Sequence, residues 1–406
     1  MTKIIDTLSG ILKKRKLDIE NWFLNKFNKY PGVLNVSVDL RVSEYKIAPV
    51  DTNVFPAGYN NFSEKSQIYT AKLLKQYIMR HLNCNKILIV GESHTRNIKY
   101  IDSLITLKNI VSSAGFIVEI GVCDTDQNVQ LVSSNGITVD SLCLTNYDGT
   151  LRAGCGFIPD LILVNNDLTA GIPDVLQNLK YQSIMPSLSL GWHNRSKFNH
   201  FSIYQKLSTE FCDTFGVDPW LISTLFSDCD NVCFLSGHGI EDIAGKVDIM
   251  ISKIRSKFRL YSITEEPYVF VKADNGTYGM GIVVAYCGDD ILKLNKKNRN
   301  KMKRIKDRKI VERVIIQEGI MTEELFNGCA AEPLVYFIGD TPSCYLYRYN
   351  AIKDKFSNLN SVGCDFIDVS FKGQDDKMFC WSLIAKIAAL AAAAEAEVSV
   401  NNCVEV

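Results

Sequence analysis

The sequence predicts a mixed α/β and α+β protein, in which an α/β unit precedes a unit rich in hairpins. Residues 86–90 (KILIV) have the pattern of a buried strand, and a short polar loop and a helical segment at 98–113 follow directly. Residues 268–271 and 282–285 are rich in β-forming residues and enclose a glycine-rich loop, which is typical of a hairpin. A strand–helix unit therefore lies in the N-terminal half, and a strand–strand unit follows it.

Length and composition indicate a folded protein of more than one unit. A chain of 406 residues is long for a single core, and 47% of it is hydrophobic. We expect an N-terminal domain at 1–200, a second domain at 201–390 and a tail at 391–406. The N-terminus lacks the pattern of a secretory signal, and no stretch of about 18 apolar residues suggests a membrane span, so we expect a cytoplasmic protein. The net charge of zero gives no general attraction to nucleic acids or membranes.

Cysteine and histidine spacing gives no sign of a disulfide framework or a zinc site. The 13 cysteines occur without a C-x-x-C pair, and we expect reduced thiols with structural roles. The five histidines have no zinc-ligand spacing.

The other elements follow from hydrophobic periodicity and turn residues. The pattern predicts a polar helix at 1–30, an irregular segment at 46–62, an amphipathic helix at 64–82, strands at 118–122 and 161–164, and helices at 201–226 and 239–258.

The irregular segment carries polar side chains among apolar residues. They are Asp51, Asn53, Asn60 and Asn61. Because Asn and Asp hydrogen-bond their own backbone in turns, turn formation is the simpler interpretation. A loop that offers polar groups to a small polar ligand is the functional alternative.

Polar clusters also follow two predicted strands. Residues 91–97 (GESHTRN) follow the strand at 86–90, and residues 165–169 (NNDLT) follow the strand at 161–164. Because loops at the carboxyl ends of strands commonly bind ligands, we expect one site that several loops form together. For His94, a hydrogen-bonded structural role is the simpler interpretation.

Two basic segments have open interpretations. Residues 191–201 (GWHNRSKFNHF) could hold a carboxylate through Arg195 or Lys197, or could be a solvated connection between domains. Residues 292–309 contain ten Lys or Arg residues and one acid. This run could be a solvated helical face, a nucleic-acid patch that lacks aromatic residues for stacking, or a positive lid beside a polyphosphate.

The glycine-rich hairpin combines a lysine with three glycines. Lys272 ends the first strand, and Gly276, Gly279 and Gly281 lie in the loop. Glycine lets backbone N–H groups approach an anion, and lysine adds a charge, so the hairpin could cover phosphates. An ordinary hairpin turn is an equal alternative. The order G-x-x-G-x-G is neither a P-loop nor a dinucleotide fingerprint.

The C-terminal part places a polar or charged side chain with each predicted strand. These are Glu318 after the strand at 314–317, Glu332 before the strand at 334–338, Arg348 within the strand at 345–349, and Asn358 and Asn360 after it. With the hairpin, they could supply phosphate, adenine, metal and carboxylate ligands in turn.

This order of features resembles that of the ATP-grasp ligases. More closely, the chain resembles the proteobacterial glutamate–cysteine ligase family typified by acidophilic iron oxidisers. The matching segments are APVDTNVFPAGYNN, ESHTRN, NNDLTAGIP, GWHNRSKFNHF, DPWL, VKADNGTYGMGI, LNKKNRNKMK, VIIQEGIMTEE, AEPLVYFI and YRYNA…NLNSVG. The resemblance implies an N-terminal α/β substrate domain followed by an ATP-grasp-like domain, and the residues from 388 onward lie outside the match.

The resemblance also implies a nucleotide site. Lys272 would contact the ATP phosphates, and Arg348 would face the acyl phosphate or a substrate carboxylate; these two are the implied catalytic residues. The implied ATP-binding residues are Lys272, Gly276, Thr277, Tyr278, Gly279, Met280, Gly281, Gln317 and Glu318, with Glu318 at the adenine hinge.

The implied cofactor is Mg²⁺, with Glu332, Asp340, Asn358 and Asn360 as candidate ligands. ATP-grasp enzymes often have Glu-x-Asn at the last metal position, and this chain has Asn358-Leu359-Asn360 there. One carboxylate is therefore missing, and Asp340 is the candidate to supply it. The candidate substrate-binding residues, taken from the matching segments, are Asp51, Asn53, Asn61, Glu92, Arg96, Asn166, Asp167 and Arg195.

The implied activity is ATP-dependent joining of the γ-carboxylate of L-glutamate to the amine of L-cysteine through an acyl phosphate. The product would be γ-glutamylcysteine, for glutathione synthesis. Partners would be these small molecules, without nucleic acid or membrane. Two alternatives stay open: a ligase of the same architecture with another acceptor amine, and a nucleotide-binding protein without catalysis.

Overall fold

The computed structural model describes residues 2–92, 97–123, 125–276, 279–303, 310–373 and 376–404. The helices are α1 (Lys3–Leu12), α2 (Lys16–Lys29), α3 (Glu64–His81), α4 (Ile98–Ser113), α5 (Lys197–Phe215), α6 (Ile240–Leu260), α7 (Gly288–Leu292), α8 (Lys296–Lys303) and α9 (Asp376–Val404). The strands are β1 (Asn35–Val42), β2 (Ile47–Asn53), β3 (Lys86–Gly91), β4 (Ile117–Val122), β5 (Val129–Val132), β6 (Thr138–Tyr147), β7 (Thr150–Ala153), β8 (Leu161–Val164), β9 (Ser183–Met185), β10 (Phe226–Cys229), β11 (Val269–Ala273), β12 (Ile282–Ala285), β13 (Val314–Glu318), β14 (Leu325–Phe326), β15 (Cys329–Ile338), β16 (Thr341–Asn350) and β17 (Cys364–Asp368).

Seven strands form the α/β sheet that the sequence predicts. Their order is β5-β6-β4-β3-β8-β9, with β7 beside β6. β3 pairs in parallel with β4 and with β8, and α4 connects β3 to β4. The predicted strand–loop–helix unit is thus confirmed. Val90 faces Val164 in the ladder, so the polar loops after β3 and β8 begin side by side.

A six-stranded antiparallel sheet joins the two ends of the chain. Its order is β17-β16-β15-β1-β2, with β14 beside β15. The predicted domain at 1–200 is therefore divided, because residues 35–53 belong to the same sheet as residues 325–368. Part of the segment predicted to be irregular is strand β2, since β1 supplies backbone partners that local sequence does not reveal.

A four-stranded antiparallel sheet carries the glycine-rich hairpin. Its order is β10-β13-β11-β12, and α6 packs against it. The helix predicted at 239–258 is confirmed as α6. The helix predicted at 201–226 is wrong in its second half, because α5 ends at Phe215 where Gly216 takes a φ of 73° and closes the helix.

Helix α9 lies in the largest hydrophobic core. Ala388 to Ala393 are at most 1% exposed, and the helix packs against α1, α5, β1 and β2. The stretch Asp376–Val398 is long and apolar enough to cross a membrane, yet most of it is buried inside the protein, as in a core helix. The predicted tail at 391–406 is therefore wrong for residues 391–395, because they belong to the core.

The burial of α9 predicts a stability effect. Leu390→Ala removes a side chain that is 0% exposed and should lower the free energy of unfolding by about 2–5 kcal/mol. Val398→Ala shortens an exposed side chain of the same helix and should change it by less than about 0.5 kcal/mol. Urea unfolding of both variants measures the difference. Equal small effects would show that α9 is not a core helix.

Candidate active site

Two adjoining cavities lie between elements of the three sheets. The first cavity, of about 580 Å³, lies between the β11–β12 hairpin and the six-stranded sheet. The second cavity, of about 1430 Å³, lies between that sheet and the loops after β2, β3 and β8. The residues that line both cavities are Asp39, Asp51, Arg348 and Asn360, and we call this set the junction.

The first cavity contains a cluster of charges, most of them buried. Four basic and three acidic side chains line it: Arg41, Lys197, Lys272, Arg348, Asp39, Asp51 and Glu332. Strand pairing brings them together, because Asp39 faces Asp51 across β1 and β2, and Glu332 faces Arg348 across β15 and β16. Asp39 and Arg41 project to the same face of β1 because they are two residues apart.

Arg348 and Arg41 hold Glu332 between them. Arg348 Nη1 lies 2.6 Å from Glu332 Oε1 and 2.6 Å from Asp39 Oδ2, and Arg41 Nε lies 2.6 Å from Glu332 Oε2. Burial raises the pKa of Glu332, but the two guanidiniums outweigh it and the pKa is lowered. For Asp39 burial outweighs Arg348, and Glu332 and Asp51 add repulsion, so its pKa is raised.

Lys272 lies in the first cavity, where the hairpin prediction expects it. Its Nζ donates to Gln317 Oε1 at 2.7 Å and to the Val50 carbonyl at 3.2 Å. Burial lowers the pKa of Lys272 to about 8, although Asp51 favours the charged form. The side chain is therefore a cation at neutral pH that is largely removed from water.

Lys197 brings a second lysine to the same cavity from the start of α5. Its Nζ lies 2.6 Å from Asp51 Oδ1 and 4.3 Å from the ring centre of Trp192. Asp274, one residue beyond β11, accepts from the Phe198 N–H at 2.8 Å. The end of the strand that carries Lys272 is thus tied to the start of the helix that carries Lys197.

The glycine-rich hairpin lies directly on the Asn-x-Asn loop. Gly279 has a φ of 65°, and a Cβ there would lie 2.2 Å from the Asn360 carbonyl oxygen, so only glycine fits without a shift. Gly276, Gly279 and Met280 line the first cavity, and Gly281 lines a neighbouring surface cavity. Thr277 and Tyr278 lie outside the described residues.

Two predicted ATP-binding side chains, Gln317 and Glu318, do not line the cavities. Glu318 is 1% exposed, and its carboxylate accepts from Lys46 Nζ at 2.7 Å, Trp220 Nε1 at 3.2 Å and the Leu225 N–H at 2.8 Å. These partners hold the Glu318 carboxylate away from the cavities and join the residue before β2 to β13, and the place of Glu318 at the adenine hinge stays a prediction. Gln317 acts on the site indirectly, since it holds Lys272.

Three of the four predicted metal ligands lie together. Glu332, Asn358 and Asn360 line the first cavity. Asp340 does not join them: it lies in the turn between β15 and β16, where Lys386 Nζ is 3.4 Å from its carboxylate. The strand between Glu332 and this turn spans about 20 Å, so Asp340 cannot supply the missing carboxylate.

The oxygen ligands of the first cavity suit magnesium. Among the described residues, no group of three or more His, Cys, Asp or Glu side chains forms a metal cage. Mg²⁺ with a nucleotide needs only one or two carboxylates, because phosphate oxygens and waters fill its other positions. Asp39, whose pKa is raised beside two other carboxylates, supplies an acid near Glu332 that the sequence prediction did not include.

Most of the predicted substrate residues meet in the second cavity. Those that line it are Asp51, Asn53, Asn61, Glu92 and Asp167. Asn166 does not line either cavity, because its side chain accepts from the Leu168 N–H in a turn. Arg195 is also absent from both linings, because it is buried against Glu395. Arg96 lies outside the described residues.

The structure adds Asp39 and Arg41, which the site predictions did not include. The signal in the sequence is the alternation of Ser37, Asp39 and Arg41 with apolar residues at 36, 38, 40 and 42. In a strand with one buried face, that period of two places every polar side chain on the other face. Lys197 was considered as a carboxylate ligand beside Arg195, and the structure favours it over Arg195.

Comparison with known proteins identifies the family of the chain. A model of the glutamate–cysteine ligase family matches residues 10–396. The crystal structure of a protein from Methylobacillus flagellatus KT, provisionally assigned as a gamma-glutamylcysteine synthetase, is 32% identical with a TM-score of 0.88, and the match covers 98% of this chain and 96% of that chain.

Other comparisons add no argument. A glutathione synthetase-like effector (GSS30) from Globodera pallida, in its apo form, is 10% identical with a TM-score of 0.36, and the match covers 90% of this chain and 79% of that chain. No curated protein matches the sequence. The family match over nearly the whole length confirms the resemblance stated above: the chain belongs to the glutamate–cysteine ligase family, whose members are ATP-dependent ligases.

Proposed function

We propose that the junction is where ATP phosphorylates the γ-carboxylate of glutamate and where the amine of cysteine then attacks. The observation that carries this proposal is that Asp39, Asp51, Arg348 and Asn360 line both cavities. The first cavity has a lysine beneath a glycine-rich hairpin, which suits phosphates, and the second has polar loops, which suit amino acids. A group transferred from one ligand to the other has to pass between these residues.

The reaction needs activation because a carboxylate is a poor electrophile at neutral pH. A γ-carboxylate oxygen attacks the terminal phosphorus of ATP, the bond to the bridging oxygen breaks, and ADP leaves. The amine nitrogen of cysteine then attacks the acyl carbon, loses a proton, and inorganic phosphate leaves. Lys272 and Arg348 would offset the charge that develops on the transferred phosphoryl group. The glycine-rich hairpin would keep water from the acyl phosphate.

Buried polar atoms without partners support polar ligands at these places. Among the described residues, Arg348 Nε at the junction, and Thr52 Oγ1 and Asn165 Oδ1 in the second cavity, are buried and have no hydrogen-bond partner. Since an unsatisfied buried polar group costs about 1–3 kcal/mol, a small side-chain shift that lets a bound ligand complete these bonds would be favoured. Arg348 Nε is a donor, which suits a phosphate or carboxylate oxygen.

Glu332, Asn358 and Asn360, with Asp39, would hold Mg²⁺ beside the phosphates. When bound, this ion would add positive charge beside the phosphates, because three carboxylates offset all but one of the four cations of the cluster. In the second cavity, the carboxylates of Glu92 and Asp167 suit substrate ammonium groups, and Asn53 and Asn61 suit carboxylate or ammonium groups. We place the reaction in the cytoplasm.

The substrate assignment predicts a strict requirement for four components. Phosphate release should need ATP, Mg²⁺, L-glutamate and L-cysteine together, and γ-glutamylcysteine should form in equal amount. A coupled assay for phosphate with mass spectrometry of the product tests this. Release that is as fast without cysteine, or that occurs with another amine only, would contradict the acceptor assignment.

Removal of the hairpin lysine should abolish most of the turnover. Lys272→Ala should lower kcat by at least about a hundredfold, because the variant loses a charge that stabilises the transferring phosphoryl group. Lys293→Ala is the matched control, since Lys293 is exposed, follows directly after α7, and forms its ion pair with the nearby Asp289. Steady-state kinetics of both variants decide the point, and normal turnover of Lys272→Ala would exclude the assigned role.

Nucleotide binding should weaken as pH rises through about 8. Burial lowers the pKa of Lys272 to about 8, so the side chain is charged below that pH and becomes neutral above it. Titration calorimetry with a nonhydrolysable ATP analogue should show the loss in the wild type and not in Lys272→Arg, which stays charged. The same loss of binding in both proteins would mean that a group other than Lys272 titrates. Lys46 is one example, because burial also lowers its pKa to about 8.

A further inference from the structure

A buried ion-pair cluster lies outside both cavities, between α5 and α9. Glu395 accepts from Arg195 Nε at 2.9 Å and from Arg195 Nη2 at 3.0 Å, and His200 Nδ1 lies 3.1 Å from its Oε2. Arg195 and Glu395 are 4% and 7% exposed. Burial raises the pKa of Glu395, but Arg195 and His200 outweigh it and lower the pKa to about 2, so the carboxylate is charged.

Arg195 connects this cluster to the active-site strand β2. Its Nη1 donates to the Thr52 carbonyl at 2.7 Å. Thr52 lies between Asp51 and Asn53, and all three line the second cavity. The planar guanidinium bonds the carboxylate through one edge and the strand through another, so the position of Glu395 fixes where β2 lies.

The same strand is fastened to α5 at a second point. Lys197, two residues after Arg195, pairs with Asp51 at 2.6 Å. Two adjacent residues of β2, Asp51 and Thr52, are thus bonded to two nearby basic residues at the start of α5. A displacement of Arg195 would move Lys197 relative to Asp51, because both basic residues lie within one turn of chain.

The charges of the cluster also act on the junction. Burial raises the pKa of Asp51, but Lys197, Lys272 and Arg195 outweigh it, and the pKa of Asp51 is lowered. If Glu395 were neutral, Arg195 would be a buried cation without its counter-ion. Its charge would then act more strongly on Asp51, the acid of the neighbouring strand whose pKa Arg195 already helps to lower. Competition between Arg195 and Lys197 for Asp51 would then disturb the Lys197–Asp51 pair.

We propose that Glu395 is a positioning residue for the ligase reaction. Through Arg195 it sets β2 against the start of α5, and so places Asp51 and Lys197 where the phosphoryl group passes between the cavities. This inference rests on the proposed function. It assigns a role in the reaction to the C-terminal part of α9, which does not line either cavity.

Glu395→Gln tests the proposal because it removes the charge and keeps the shape. We expect kcat to fall by at least about tenfold, since small displacements of reacting groups are costly. Glu397→Gln makes the same chemical change two residues later, on a half-buried side chain, and should stay within about twofold of the wild type. Circular dichroism and thermal unfolding confirm that each variant is folded at the assay temperature. Wild-type kcat in folded Glu395→Gln would overturn the proposal.

A double-mutant cycle separates positioning from general stabilisation. In a Lys197→Met background, Glu395→Gln should lower kcat by no more than about twofold further, because the Lys197–Asp51 contact that Glu395 positions is already lost. Equal fold-losses in both backgrounds would overturn the proposal. If Glu395→Gln does not fold, Glu395→Asp keeps the charge with a shorter reach and should lose several-fold in kcat, and unchanged kcat would contradict us. The proposed function itself is tested separately, by the substrate requirements of the wild-type protein and by the kcat of Lys272→Ala.

Discussion

The buried ion pairs between β1, β15 and β16 are the constraint on which the site depends. Charges removed from water are tolerated only with partners, and here Arg41 and Arg348 pair with Glu332, while Arg348 also pairs with Asp39. The same arrangement keeps the guanidiniums charged and in place before any ligand arrives. Under the proposed function, a triphosphate and a carboxylate substrate would meet cations that the fold has already positioned, which is what charge stabilisation in an active site requires.

The first and last parts of the chain have to pair for this cluster to exist. β1 contributes Asp39 and Arg41, while β15 and β16 contribute Glu332 and Arg348. The hairpin sheet adds Lys272 from one side, and the start of α5 adds Lys197 from another. The site therefore forms only where β1, β15, β16, the hairpin sheet and the start of α5 come together.

Helix α9 shows how an apolar core element contributes to polar chemistry. The small alanine side chains of α9 allow β1, β2, α1 and α5 to pack closely around it. This packing places the carboxylate of Glu395 within hydrogen-bond distance of Arg195. Glu318 has a comparable position between the sheets, where Lys46 and Trp220 donate hydrogen bonds to its carboxylate. In both places a buried acid fixes the geometry of neighbouring elements and does not face a cavity.

The sequence by itself determined the local features: the strand–loop–helix at β3, the hairpin with Lys272, and the polar segments that supply Asp51, Asn53, Asn61, Glu92 and Asp167. These follow from short-range periodicity, turn residues and matching segments. Only the tertiary structure decided that Asp39 and Arg41 join Glu332 and Arg348, that Asp340 and Glu318 lie apart from the cavities, and that the supposed tail is core. The physical reason is that strand pairing and ion-pair burial join residues far apart in the chain, and spacing along the sequence carries no record of such contacts.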